Sequence, residues 1–199
     1  LNVAVGKNAL GADTQGSRSI AIGRAALLNQ NFTSATETYN IAIGYAAGSS
    51  VTTGVKNTVI GGLAGDALTT GSFNVAMGYE ALSTEDAHGN NVAVGNRALK
   101  NLNAGTAALN VGVGDDAGQS LTTGLYNTLI GGGAGDALTD ADSNVAMGQN
   151  SLSGDTLGSH TTAIGQGALA NQNFTTATST LNTAVGYDAG SAVSTGKAS

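Results

Sequence analysis

The chain has only two histidines, His88 and His160, and no cysteine. The two histidines fall in equivalent turns of a repeating pattern, four repeats apart. That separation is too large for both to bind one metal ion within a chain. Asp115 and Asp116 are adjacent, and adjacent residues of a strand point to opposite faces, so they are not expected to act as a carboxylate pair. Serine, histidine and aspartate are all present, but nothing in their spacing sets up a nucleophile, base and orienting acid. The glycine runs at residues 61–62 and 131–133 are not followed by the Lys-Ser/Thr of a phosphate-binding loop. No catalytic residue, metal or cofactor is therefore expected, and the chain reads as non-enzymatic.

Composition narrows the class further. Gly 31, Pro 0, Trp 0 and 4% aromatic residues in 199 leave little for a conventional globular core. At 10% the charged residues are too few for a charge-rich disordered chain. The net charge of -6 opposes binding to a nucleic-acid backbone, which needs a basic surface. No apolar run approaches the length that spans a bilayer, so no membrane insertion is expected. The lack of cysteine excludes disulfides without fixing the compartment.

What must position any functional group is a repeat. The phrase Asn-x-Ala-x-Gly-x-x-Ala-(Leu or Gly) recurs eleven times, as NIAIGYAAG from Asn40, NVAMGYEAL from Asn74, NVAVGNRAL from Asn91 and NVAMGQNSL from Asn144. Its glycines include Gly44, Gly78, Gly95 and Gly148, and seven of the ten intervals between motif glycines are 17 residues, the others 21, 19 and 21. A short fixed period means stacked units that touch only their neighbours. Within the motif apolar, mostly β-branched pairs alternate with a small residue: Ile41 and Ile43 around Ala42, Val75 and Met77 around Ala76, Val92 and Val94 around Ala93. That is strand periodicity. The glycine then permits a turn, a second apolar pair such as Ala81-Leu82 is expected to form a second short strand, and Thr-Thr-Gly at residues 52–54, 69–71 and 122–124 closes the unit. The expected fold is all-β, a parallel β-solenoid of about eleven coils of 17–21 residues. The asparagine column is expected to bond coil to coil as an amide ladder.

Two expectations concern packing. Where the small strand residue becomes Val59 or Leu129, the residue after the turn glycine is also glycine, Gly62 and Gly132, which reads as volume compensation. The motif strand is also apolar on both faces. One face can fill the coil interior, and the other requires cover, most simply from a second copy of the chain.

The phrases NIAIGYAAG, NVAVGNRAL and SIAIGRAAL resemble the head repeats of trimeric autotransporter adhesins and the related repeats of phage tail fibres and bacterial adhesive fibres. The resemblance covers all eleven units. It implies a left-handed β-roll, a parallel homotrimer with motif strands packed toward the shared axis, and an extracellular place on a virion tail fibre or a bacterial surface. The partner it implies is a cell-surface glycan or protein. The adhesin head unit is shorter, at about 14 residues, so the longer period here favours the fibre groups. Many such fibres end in an intramolecular chaperone, and none lies within these residues. GGLAGDAL and GGGAGDAL also resemble the calcium-binding nonapeptide of bacterial toxins, but the period is 17 and the aspartate occurs in two coils only, Asp66 and Asp136.

The longer units return every four coils, at residues 29–40, 101–110 and 171–182, giving a super-repeat over about 24–95, 96–165 and a partial 166–199. The chain reads as a single repeat domain, 1–199, cut from a longer fibre, with a twelfth motif due at Ser199. The inserted loops carry Phe32, Tyr39 and Phe174, the candidate recognition residues; covering a gap in the roll is the competing role for the two phenylalanines. Tyr45, Tyr79 and Tyr187 each follow a motif glycine, at a position whose variety elsewhere (Lys7, Arg24, Asn96) marks it as exposed. A different class, an ice-binding solenoid, would use a flat threonine array. Thr52, Thr69, Thr122 and Thr139 share a column, but Asp86 interrupts it.

Overall fold

A computed structural model describes residues 1–197. The position at which a twelfth motif is due, Ser199, lies outside the described residues. Every motif forms one three-residue strand: β1 Val3–Val5, β3 Ile20–Ile22, β5 Ile41–Ile43, β6 Thr58–Ile60, β7 Val75–Met77, β8 Val92–Val94, β9 Val111–Val113, β10 Thr128–Ile130, β11 Val145–Met147, β13 Thr162–Ile164 and β15 Thr183–Val185. Four two-residue strands complete the set, β2 Gly16–Ser17, β4 Thr36–Glu37, β12 Gly158–Ser159 and β14 Thr178–Ser179. The eleven motif strands make one parallel sheet in coil order, with like residues in register: Ala76 pairs with Ala93, and Ala93 with Gly112. No helix occurs among the described residues. The fold is a parallel β-solenoid.

The second short strand does not form. After each glycine the chain alternates left-handed residues with ordinary ones, as at Glu80 (φ 53) and Leu82 (φ 52), or Arg97 (φ 54) and Leu99 (φ 48). Extended pairing is incompatible with that alternation. Coil-to-coil hydrogen bonds continue through it regardless: Leu82 N–H donates to the Ala98 carbonyl at 3.0 Å and Leu99 N–H to Ala117 at 3.0 Å. Each coil keeps its backbone satisfied by its neighbour, without strand geometry.

The asparagine column bonds coil to coil, but mainly to backbone. Oδ1 of Asn110 accepts the Asn127 N–H at 2.8 Å, and Oδ1 of Asn127 accepts the Asn144 N–H at 3.0 Å. Nδ2 donates to a turn carbonyl fourteen residues on, from Asn40 to Gly54 (2.7 Å), Asn74 to His88 (3.0 Å) and Asn144 to Gly158 (2.9 Å). An amide-to-amide bond also occurs in the column, from Asn127 Nδ2 to Asn110 Oδ1 at 3.2 Å. Where both bonds form, the buried side chain staples the next strand and the closing turn together; Asn91 bonds the next strand but turns its Nδ2 back to Gly89.

Small strand residues and leucines fill the interior: Ala42, Val59, Ala76, Ala93, Leu82, Leu99, Leu121, Leu129 and Leu138 are fully buried. Volume is compensated there, although not by the glycines expected. A Cβ on Gly62 would sit 3.6 Å from Tyr79, and one on Gly132 would be 3.9 Å from the Asp115 carbonyl, both ordinary contacts outside the core. The true partners of Leu129 are Gly118 and Gly135, where a Cβ would come within 2.6 and 2.8 Å of it, whereas around Val59 a Cβ on Gly65 or Gly48 would make only ordinary contacts at 3.4 and 4.0 Å. At Gly135 a Cβ would lie 2.8 Å from both Leu129 and Leu138. Gly112 plays the same part for Leu99, at 2.7 Å. Leucine occupies the Gly135 position in other coils, at Leu82 and Leu99, so space rather than backbone conformation forbids it here. Gly135→Leu should cost roughly 2–4 kcal/mol by overpacking, and Gly132→Leu under about 1 kcal/mol, in thermal or denaturant unfolding. Equal costs would refute this assignment.

The 21-residue coils gain a miniature second sheet, β2 with β4 and β12 with β14. Beneath each sits a buried polar network. Asp155 Oδ2 accepts from Gln172 Nε2 at 2.6 Å, Gln172 Nε2 also donates to Thr161 Oγ1 at 3.1 Å, and Thr161 meets Thr180 at 2.6 Å. Asp13, Gln30, Ser19 and Thr38 repeat the arrangement near the N-terminus. In the 19-residue coil between them the corresponding places hold Leu102 and Ala108, both buried, and no second sheet forms.

Candidate interaction surfaces

Alternation leaves the first and third residue of each motif strand facing away from the core. The middle residue of every motif strand from β3 to β13 is buried, while its neighbours are half-buried or exposed. Ile22 and Met77 are each 37% exposed and Met147 39%. The outward side of an eleven-strand sheet is therefore a continuous stripe of Ile, Val and Met, interrupted by Thr58, Thr128, Thr162 and Thr183. The stripe is a contiguous patch rather than a scatter of single surface residues.

A second column runs beside it, and nothing in the sequence reading singled it out. The residue before each motif opening is left-handed and mostly bulky: Tyr39 (φ 52), Phe73 (φ 63), Leu109 (φ 53), Tyr126 (φ 60) and Leu181 (φ 55). All five are exposed. Arg18 lies over the Tyr39 ring at 5.3 Å and Lys56 over the Phe73 ring at 5.1 Å. The signal was available in the fixed register with the asparagines, but the residue types vary too much to announce themselves as a column.

Among the loop residues named from sequence, Phe32 and Phe174 are buried, each 7% exposed, while Tyr39 is open to solvent. The Tyr39 hydroxyl donates to Glu37 at 2.8 Å, and Arg18 pairs with Glu37 at 2.6 Å. The fold does not gather the three residues into one surface. Tyr45, Tyr79 and Tyr187 are exposed, and Arg24 lies 5.6 Å over the Tyr45 ring. Asp115 and Asp116 lie in a turn and diverge, to Asn96 at 2.7 Å and Arg97 at 2.9 Å.

The mid-rod charges form a patch. Lys100 meets Glu80 at 2.6 Å and Arg97 meets Asp116, with Asp66 and Asp136 flanking these pairs. Lys100 holds the Glu80 carboxyl below its usual range. Burial pushes Asp66 and Asp136 upward, aided by repulsion from Glu80 and Asp116 respectively, and each leaves Oδ1 buried without a partner. A raised folded pKa means the native state holds protons that the unfolded chain has released. Stability contributed by these groups then falls as pH rises from the unfolded carboxylate range through the raised value, and stays reduced at neutral pH. Asp66→Asn and Asp136→Asn should therefore raise the melting temperature at pH 7, with the gain shrinking as the buffer approaches the carboxylate range. An unchanged or lowered Tm at pH 7 would contradict the burial cost.

No protein-family pattern, curated protein or solved structure matches this chain.

Proposed function

We propose that this chain is a non-enzymatic segment of an extracellular fibre, of the phage tail-fibre or bacterial-adhesin kind, in which three parallel copies bury their outward sheet faces against one another. The observation that carries this reading is the apolar stripe on the outward side of the sheet. It runs along the whole stack, about 50 Å at the usual strand spacing, so a parallel copy covers it over its full length. Three copies about one axis close the contact without leftover sites. The inserted loops then repeat around and along the rod and the exposed Tyr39 repeats around it, where weak contacts to a glycan or surface protein add through multivalency. Thr52, Thr69, Thr122 and Thr139 donate their hydroxyl protons to carbonyls of the next coil, which disfavours a free hydroxyl array for ice.

Light scattering after size exclusion is the direct test. The native mass should be three times the 19.3 kDa of one chain. Ile43→Glu with Val94→Glu, two outward positions, should reduce it to a single chain that keeps its β circular dichroism. A wild-type chain that is folded and monomeric overturns the reading.

A further inference from the structure

Asp-Thr-x-Gly occurs twice at the same place in the coil, at residues 13–16 and 155–158, and in the coil midway between them the same four positions read Glu85-Asp86-Ala87-His88. In the first two turns the carboxylate is saturated. Asp13 accepts from the Gly16 N–H at 2.9 Å and from Gln30 Nε2 at 2.9 Å. Asp155 accepts from the Gly158 and Phe174 N–H groups at 3.1 and 2.9 Å and from Gln172 at 2.6 Å. In the middle turn the amide donor is gone, because Leu102 stands where Gln30 and Gln172 stand.

Glu85 is left fully buried. Its Oε1 accepts the His88 N–H at 3.0 Å, as the turn requires, but Oε2 is buried with no hydrogen-bond partner. A buried carboxylate oxygen in that condition calls for a proton, an ordered water or a cation. All three differences from Asp-Thr-x-Gly supply donor atoms at this point: the longer acid, a second carboxylate for threonine, and an imidazole for glycine. One donor atom from each of Glu85, Asp86 and His88 lies within 4.8 Å of the others, and among the described residues no other group of three does so. His88 Nδ1 is 3.3 Å from Glu85 Oε1. That is long for a charge-assisted hydrogen bond, and it matches the edge of a tetrahedron with bonds of about 2.0–2.1 Å to nitrogen and oxygen.

We propose that Glu85, Asp86 and His88 bind one first-row divalent cation of the Zn2+ type per chain, with water completing its shell. The one-nitrogen, two-carboxylate donor set suits Zn2+ better than Ca2+, which requires six or more oxygens. The ion supplies the positive partner that glutamine supplies through its N–H in the register-equivalent coils, and it ties the turn shut between Leu68 and Leu102. The sequence reading missed it because it compared the histidines with each other rather than His88 with the acids beside it.

Titration calorimetry of the full chain in its native assembly, with Zn2+ and then Ca2+, tests the site. One Zn2+ per chain is expected, with a melting temperature that rises with Zn2+ concentration and no response to Ca2+. Asp86→Thr and His88→Gly restore residues that the equivalent turns already accept, so both should fold. Each should weaken Zn2+ binding about tenfold or more, while His160→Gly leaves it unchanged. Absence of a Zn2+ heat in the wild type, or Zn2+ affinity unaltered by both Asp86→Thr and His88→Gly, overturns the proposal. Since Asp86 is exposed, its variant reports even if His88→Gly destabilises the turn.

Discussion

Gly95→Ala should destabilise the solenoid by roughly 3 kcal/mol or more, and in thermal unfolding it should behave as the loss of a central coil. Gly95 has φ +140, and a Cβ there would overlap the carbonyl oxygen of Gly114 in the next coil. That carbonyl belongs to the rigid stack, where the same contact recurs from Gly78 to Gly95 and from Gly114 to Gly131. No side-chain movement can relieve it. Both overpacking and an unfavourable backbone conformation therefore apply. Gly62→Ala is the matched control. It lies one residue after a motif glycine and would meet only the Tyr79 ring at 3.6 Å. Its expected cost is under about 1 kcal/mol. If Gly95→Ala proves as mild as Gly62→Ala, the close stacking of glycine on glycine is wrong.

Asn127→Ala should cost about 2–5 kcal/mol, because two buried backbone groups lose their partners at once. The Asn144 N–H bonds to Asn127 Oδ1 at 3.0 Å, and the Ala141 carbonyl accepts from Nδ2 at 2.7 Å. Both sites are sealed, and the side chain is itself fully buried. Asn91 makes a useful comparison. It also accepts from the next asparagine's N–H, at 3.1 Å, but its Nδ2 reaches only the Gly89 carbonyl at 3.4 Å. Asn91→Ala should cost less than Asn127→Ala by about 1 kcal/mol. Denaturant unfolding of the two variants side by side checks the order, and a reversed order would reject the stapling role assigned to the amide.

The interaction surfaces were only partly legible. Ile41 and Ile43 were visibly opposed to Ala42, so one apolar face was bound to need cover. The interior holds whichever face is small enough to let coils approach, and the buried Ala42 and Ala93 show that this is the alanine face. Tyr39 stood out as an aromatic in an inserted loop, whereas Phe73 and Tyr126 did not, because their column is defined by backbone position and not by residue type. Phe32 and Phe174 looked much like Tyr39 in sequence, yet the fold buries them and leaves it exposed.

The sequence by itself determined the periodic quantities: eleven units, strands at the Asn-x-Ala-x-Gly phrases, a parallel stack, and longer coils every fourth turn. These follow from local chemistry repeated at fixed spacing, since a strand's alternation and a glycine's freedom are properties of a few consecutive residues. The tertiary structure alone decided what depends on residues 17 or more apart. It replaced the expected second strand with left-handed turns, directed the asparagines to backbone, and assigned the space around Leu129 to Gly118 and Gly135 instead of Gly132. It also left Glu85 without the glutamine its counterparts have. Volume and hydrogen-bond satisfaction are settled between coils, and a one-dimensional pattern does not reveal which of several aligned columns point into the same space.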